Sequence, residues 1–228
     1  MLEPKLEIDR LEMSVRELEE RGIVPGKIVF YGDSAFTRWS PKYGMKSLEE
    51  EIRFPDGSRA VVNQGFGGST AEEQLYYYDR LIRPWKPRAL VLLTFGNDND
   101  VNYSPEEILF LQSRIINYAK ADFPGIRIFL CNHRPFALYS DTMPGIRKAV
   151  YQYNELLASY AAIHKDVTLV DLFHDPRFYV SEAEAGNIKA TREDIFIKDR
   201  VHFNDAGYEI FKDIFVNVLG DLLQEKSE

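Results

Sequence analysis

Five short apolar runs, each ending in polar or glycine-rich residues, set the tightest limit on how this chain can fold: Lys27–Tyr31, Arg59–Val62, Ala89–Thr94, Ile126–Cys131 and Val167–Leu172. Continuous β-branched and aromatic runs of this length suit strands buried on both faces of a parallel sheet. Helical patterns fall between them. Ala71–Arg83 follows the second run. Ser104-Pro105-Glu106-Glu107 reads as a capping box with proline at the first helical position, and predicts a helix to about Asp122. Ile146–His164 places Val150, Tyr153, Leu157 and Tyr160 at helical spacing. A last helix is predicted from Asp205 as N-cap through Ile210, Phe211, Ile214, Phe215 and Val218. An N-terminal helix over about residues 2–21 gathers Leu11, Val15 and Leu18 on one face. The alternation predicts an α/β chain: a three-layer α/β/α sandwich with a doubly wound, five-stranded parallel sheet.

The 228 residues suit one domain, and 45% hydrophobic with 28% charged residues supply an ordinary core. The net charge of −8 repels phosphate backbones and anionic lipid, so neither nucleic acid nor a membrane surface is an expected partner. Cys131 is the only cysteine, which excludes an intrachain disulfide; its apolar setting predicts a core residue. No run approaches the roughly 18 apolar residues of a membrane span. Met1–Arg21 is charged throughout and lacks a secretory pattern, so a cytoplasmic enzyme is expected unless a leader has been removed. The sequence sets no oligomeric state.

In open α/β sheets, ligands bind at the carboxyl ends of the strands. The groups there are Gly32-Asp33-Ser34, Gly65-Phe66-Gly67-Gly68, Asn97-Asp98-Asn99-Asp100, His133-Arg134 and Asp171. Ser34 is a nucleophile if a base reaches it, and otherwise a turn and helix cap. His202 is the best base among four histidines, with Asp199 three residues earlier to fix its tautomer. The glycines before Ser69-Thr70 open a helix, where free N–H groups favour anions, so Gly68 N–H is a candidate oxyanion donor or simply part of a tight turn. Asn97–Asp100 offers amide donors or an Asx turn. His164 closes a polar helix end, and His174 predicts a local hydrogen bond.

Four blocks in this order resemble the SGNH hydrolases, relatives of the GDSL lipases and esterases, from about Ile28 to Phe211. Tyr31-Gly32-Asp33-Ser34 matches the block whose serine is the family nucleophile. Asn63–Thr70 is similar to the second block, with Gly68 as backbone oxyanion donor. Asp199-Arg200-Val201-His202 matches the Asp-x-x-His of the relay. The third block departs from the family's Gly-x-Asn-Asp: aligned without a gap, Phe95–Asp100 puts Asn97 at the glycine and makes Asn99 the donor, with Asn97 as fallback. Ala35 replaces the usual leucine of the first block.

The resemblance implies a flavodoxin-like SGNH fold and a serine ester hydrolase, of carboxylesterase or carbohydrate O-deacetylase type. It needs no cofactor or metal, and small or short-chain esters are its partners. Asp33, Phe36, Arg38, His133 and Arg134 are candidate substrate contacts. Phe36, Trp39, Phe66, Phe136 and Tyr139 either wall the site or pack the core. Ser181–Glu193 is a polar excursion, a helix or a flap. Without long apolar lid segments a long-chain lipase is not expected, and the Gly-x-Ser-x-Gly elbow is absent. Two rival readings stand beside this one. A metal-dependent phosphoesterase could draw on Asp33, Asn97, Asp100, His133 and His202, although no histidine pair has ligand spacing. A binding module could keep the fold without catalysis.

Overall fold

A computed structural model describes residues 5–141 and 144–224. In chain order the elements are α1 (Ile8–Glu19), β1 (Ile28–Tyr31), α2 (Ser34–Thr37), α3 (Leu48–Glu51), β2 (Val61–Asn63), α4 (Ala71–Leu81), β3 (Ala89–Leu92), α5 (Gly96–Asp100), α6 (Pro105–Asp122), β4 (Arg127–Cys131), α7 (Pro144–Ile163), β5 (Val167–Val170) and α8 (Asp205–Gln224). The five strands form one parallel sheet in the order β2-β1-β3-β4-β5. Strand order reverses between β1 and β3, which opens a crevice at their carboxyl ends.

Alternate strand residues feed two separate cores. Val29, Tyr31, Leu90, Leu92, Ile128 and Leu130 face one side, where Leu11 and Val15 of α1 join apolar stripes from α4, α6 and α7. Ile28, Phe30, Val91, Phe129 and Cys131 face the other, which α8 covers with Phe211, Ile214, Phe215 and Leu219. Burial on both faces is why the runs carry no polar alternation.

The sequence boundaries shift where local bonding overrides apolar pattern. β3 stops at Leu92 because the chain turns at Phe95, whose φ of 144° is foreign to a strand. β5 stops at Val170 because Asn132 Oδ1 accepts the N–H groups of Leu172 and Phe173, at 2.7 and 3.0 Å. Pro84 converts the expected end of α4 into a separate 3-10 turn, Arg83–Trp85. The cap of α8 is Asn204 rather than Asp205: its Oδ1 accepts from Ala206 and Gly207, at 3.0 and 3.3 Å. α1 is shorter than the expected span, of which residues 2–4 lie outside the described residues. Ser181–Glu193 forms two 3-10 turns anchored by buried Ile188 and a Tyr179–Thr191 bridge. Among the described residues no helix is long and apolar enough to cross a membrane.

Phe215 locks α8 to the sheet, edge-on to Phe30 at 5.0 Å and to Phe211 at 5.6 Å, and is fully buried. Phe215→Ala is expected to lower unfolding stability by about 3–5 kcal/mol in urea titrations, and a loss below about 1 kcal/mol would contradict this packing.

Candidate active site

The turn after β1 is tight. A Cβ on Gly32 would sit 2.7 Å from the Leu93 carbonyl, so only glycine lets β1 and β3 run this close. Asp33 then caps α2, its Oδ1 accepting from Ala35 N–H at 2.8 Å. Ser34 is thereby the first residue of α2, held at the mouth of the crevice.

His202 reaches it from the loop before α8. Its Nε2 lies 2.9 Å from Ser34 Oγ, and its Nδ1 lies 2.7 Å from Asp199 Oδ2. With the Nδ1 proton directed at Asp199, Nε2 is left to accept from the serine hydroxyl. Asp199 Oδ1 also accepts the backbone N–H groups of Val201 and His202, both at 2.9 Å, so the carboxylate closes its own loop. Between them Arg200 adopts a left-handed φ of 61°, a conformation that non-glycine residues take only when neighbours enforce it. The enforcement is visible: Arg200 Nη2 donates to Ala137 O at 3.0 Å and to Glu193 Oε1 at 2.7 Å. Glu193 is thus where the expected flap meets the site. No residue of 181–193 lines the cavity itself.

Arg134 braces the same loop from below. Its Nη2 donates to Val201 O at 2.8 Å, and its guanidinium lies over Phe203 and Phe136 at 4.1 and 4.4 Å. Burial lowers the His202 pKa below 6.5 more than the bond to Asp199 raises it, and the charges of Arg134 and Arg38 add to the depression. Burial opposes ionisation of Asp199, yet the hydrogen bonds from His202 and Val201 outweigh it and hold that carboxyl below its ordinary value. The pair is therefore set as neutral imidazole beside ionised carboxylate.

The opposite wall comes from the loops after β2 and β3. Gly67 packs beside Ser34, and Gly68, at φ 82°, takes the left-handed turn into α4. Thr70 and Glu73 close a capping box there. Among the described residues the backbone N–H groups of Ser34 and Gly68 have no acceptor.

Of the two candidate donors in the third block, the fallback residue faces the cavity. Asn97, not Asn99, lines the cavity with Ser34 and Gly68. Its Nδ2 donates one proton to Ser69 O at 3.0 Å, which orients the amide. Phe95 occupies the position of the family glycine, and its positive φ is the conformation that glycine would supply. Asp98 is buried, with Oδ1 accepting from Ala71 N–H and Oδ2 from Thr94 Oγ1, both at 2.6 Å, and so ties this loop to the start of α4.

The cavity has a volume of about 600 Å³. Asp33, Arg38, His133 and Arg134 line it, as do Phe136 and Tyr139. Phe36 does not: it is fully buried, edge-on to Phe30 at 5.2 Å, because the α2 turn directs it into the α8 core. Trp39 and Phe66 are likewise fully buried. His133 is buried between Phe95 and Phe136, its backbone clamped by Asn154 at 2.8 and 3.0 Å, and burial depresses its pKa. Arg38 stands over Tyr43, with Asp199 4.0 Å away. His174 pairs locally with Asp171 at 3.0 Å, and His164 stacks on Tyr160. Leu138, on the excursion between β4 and α7 where no sequence pattern marks it, and Ile146, in the first turn of α7, complete the apolar wall. Among the described residues no three His, Cys, Asp or Glu side chains are grouped to hold a metal ion.

The chain matches the GDSL-like Lipase/Acylhydrolase family over residues 30–210, and it belongs to that family of ester hydrolases. Solved structures share the fold. A GDSL-like lipase from Bacteroides thetaiotaomicron superposes with a TM-score of 0.70 at 18% identity, covering 94% of this chain and 99% of its own. A lipase/acylhydrolase from Enterococcus faecalis gives 0.66 at 19%, covering 89% and 100%. An acetyl-xylooligosaccharide esterase from Geobacillus gives 0.63 at 18%, covering 90% and 99%. No curated protein matches the chain in sequence.

Burial raises the Asp98 pKa to about 7, from an ordinary 3.8. A folded-state pKa above the unfolded one contributes stability that is complete below pH 3.8 and is lost as pH rises through about 7. Asp98→Asn keeps an acceptor for Ala71 and offers Thr94 a donor, but cannot ionise. Its urea midpoint is expected to fall less than the wild type's between pH 5 and pH 8; parallel slopes would contradict the assignment.

Proposed function

We propose that this protein is a serine ester hydrolase of carboxylesterase or carbohydrate O-deacetylase type, acting on small or short-chain acyl esters through an acyl-enzyme on Ser34. The observation that carries this reading is the continuous line from Ser34 Oγ through His202 to Asp199, at 2.9 and 2.7 Å.

In the proposed sequence His202 Nε2 takes the hydroxyl proton as Ser34 Oγ attacks the ester carbonyl. Asp199 holds the imidazole and stabilises the imidazolium that forms. The backbone N–H groups of Ser34 and Gly68, with the second Nδ2 proton of Asn97, receive the oxyanion. Collapse expels the alcohol, which takes the proton from His202. Water, activated by the same imidazole, then releases the acid and restores the serine. The depressed His202 pKa favours the base form that both attacks require. The cavity offers an apolar side built from Leu93, Phe136, Leu138 and Ile146, and a polar side where Arg38 and Tyr43 face solvent. This suits a short acyl group and a polar alcohol.

A panel of p-nitrophenyl esters and acetylated sugars tests the reading. Ser34→Ala is expected to abolish turnover with the fold intact. Asn97→Ala is expected to cost roughly 10²–10³ in kcat, the usual effect of one oxyanion donor, while Asn99→Ala stays near wild type. Near-normal turnover by Ser34→Ala, or a larger loss for Asn99→Ala than for Asn97→Ala, would overturn the assignment.

A further inference from the structure

The N-terminal segment lies outside the stretch that matches the family, yet it grips the wall opposite His202. Arg10, on α1, donates from Nη2 to Gly68 O at 3.0 Å and to Glu73 Oε1 at 3.3 Å, while its Nε donates to Glu7 at 2.6 Å. Glu73 is 1% exposed and is the capping-box residue of α4; its Oε2 accepts from Thr70 N–H at 2.8 Å, and its Oε1 also accepts from Glu7 N–H at 3.2 Å. A Cβ built on Gly68 would run into the Arg10 guanidinium, so the two positions are shaped to each other. Lys5 does the same for the neighbouring loop. Its Nζ donates to the carbonyls of Val101 and Asn102, at 2.8 and 3.0 Å, where the chain leaves α5.

We propose that Arg10 is a positioning residue for the oxyanion wall, fixing the Gly68–Ser69 peptide through the Gly68 carbonyl. The inference rests on the reading of Gly68 N–H as an oxyanion donor. Two adjacent glycines form the most mobile kind of backbone, and a donor that wanders gives little transition-state stabilisation, because the benefit comes from preorganisation. The peptide after Gly68 is held at both ends: Ser69 N–H donates to Phe66 O at 3.3 Å, and Gly68 O accepts from Arg10. With that plane fixed and Gly67 packed beside Ser34, the Gly68 N–H keeps one direction. The charge on Arg10 is balanced by buried Glu73, so the clamp is anchored to α4 as well as to α1.

The variants Arg10→Ala and Arg10→Lys of the full chain test this, since Leu11, Val15 and the Arg80–Glu12 pair still hold α1 in place. With p-nitrophenyl acetate, Arg10→Ala is expected to lose about 10–100-fold in kcat with KM within about twofold, and Arg10→Lys to recover part of the loss. A merely structural role would instead lower the urea midpoint and leave the kcat of the folded fraction unchanged. Independently of turnover, amide hydrogen exchange in the peptide spanning Gly67–Gln74 is expected to quicken in Arg10→Ala while β1 stays protected. Unchanged exchange there, or a kcat within twofold of wild type, would overturn the clamp. If the wild type loses turnover in Ser34→Ala but Arg10→Ala matches wild type, only the clamp fails. If turnover survives in Ser34→Ala, the serine reading fails and takes the catalytic consequence of the clamp with it.

Discussion

A single hydrogen bond joins positions 168 residues apart, from Ser34 Oγ to His202 Nε2, and most of the fold can be understood as what holds its two ends in register. One end is fixed by the sheet. β1 sits next to β3 at the point where strand order reverses, so the turn carrying Ser34 projects into open space rather than against a neighbouring strand. The other end is fixed by a loop that has no regular structure to lean on. It is held instead by Asp199 closing back on its own N–H groups, by Arg200 forced into a left-handed turn, and by Arg134 beneath Val201. Regular structure places the nucleophile; a polar network places the base.

Electrostatics follow from that division. The base sits in a largely desolvated pocket flanked by two arginines, which keeps the imidazole neutral, while Asp199 collects enough donors to stay ionised despite partial burial. Neither condition would hold if the loop were merely tethered in water. The same desolvation reaches Asp33 in the cavity lining and Asp98 behind it, whose carboxyl pKa values rise to about 6 and about 7. Such groups mark the cost of building a rim from polar side chains that must also be buried.

Much of this was legible in the sequence, because the sheet is buried on both faces and so writes itself as uninterrupted apolar runs. The serine turn, the glycine loop and the Asp-x-x-His pair were legible for a different reason: each sits immediately beside a strand end or helix start. What could not be read depended on backbone conformation or on long-range contact. Phe95 takes a glycine-like φ, and that turn, which no local pattern marks, is what brings Asn97 rather than Asn99 to the cavity. Phe36 lies two residues past the nucleophile but turns into the core, since two steps along a helix rotate a side chain by about 200°. Asn132, just past the end of β4, stops β5, and Arg10 reaches Gly68 across 58 positions. No local pattern encodes either contact.

The relay itself is tested most directly by covalent capture. A fluorophosphonate ester reacts only with a serine whose hydroxyl is deprotonated in place by a neighbouring base. Intact-mass spectrometry is expected to show one adduct, mapped by peptide digestion to Ser34, with labelling lost in His202→Ala. An adduct elsewhere, or ester turnover that continues with Ser34 unlabelled, would contradict the account.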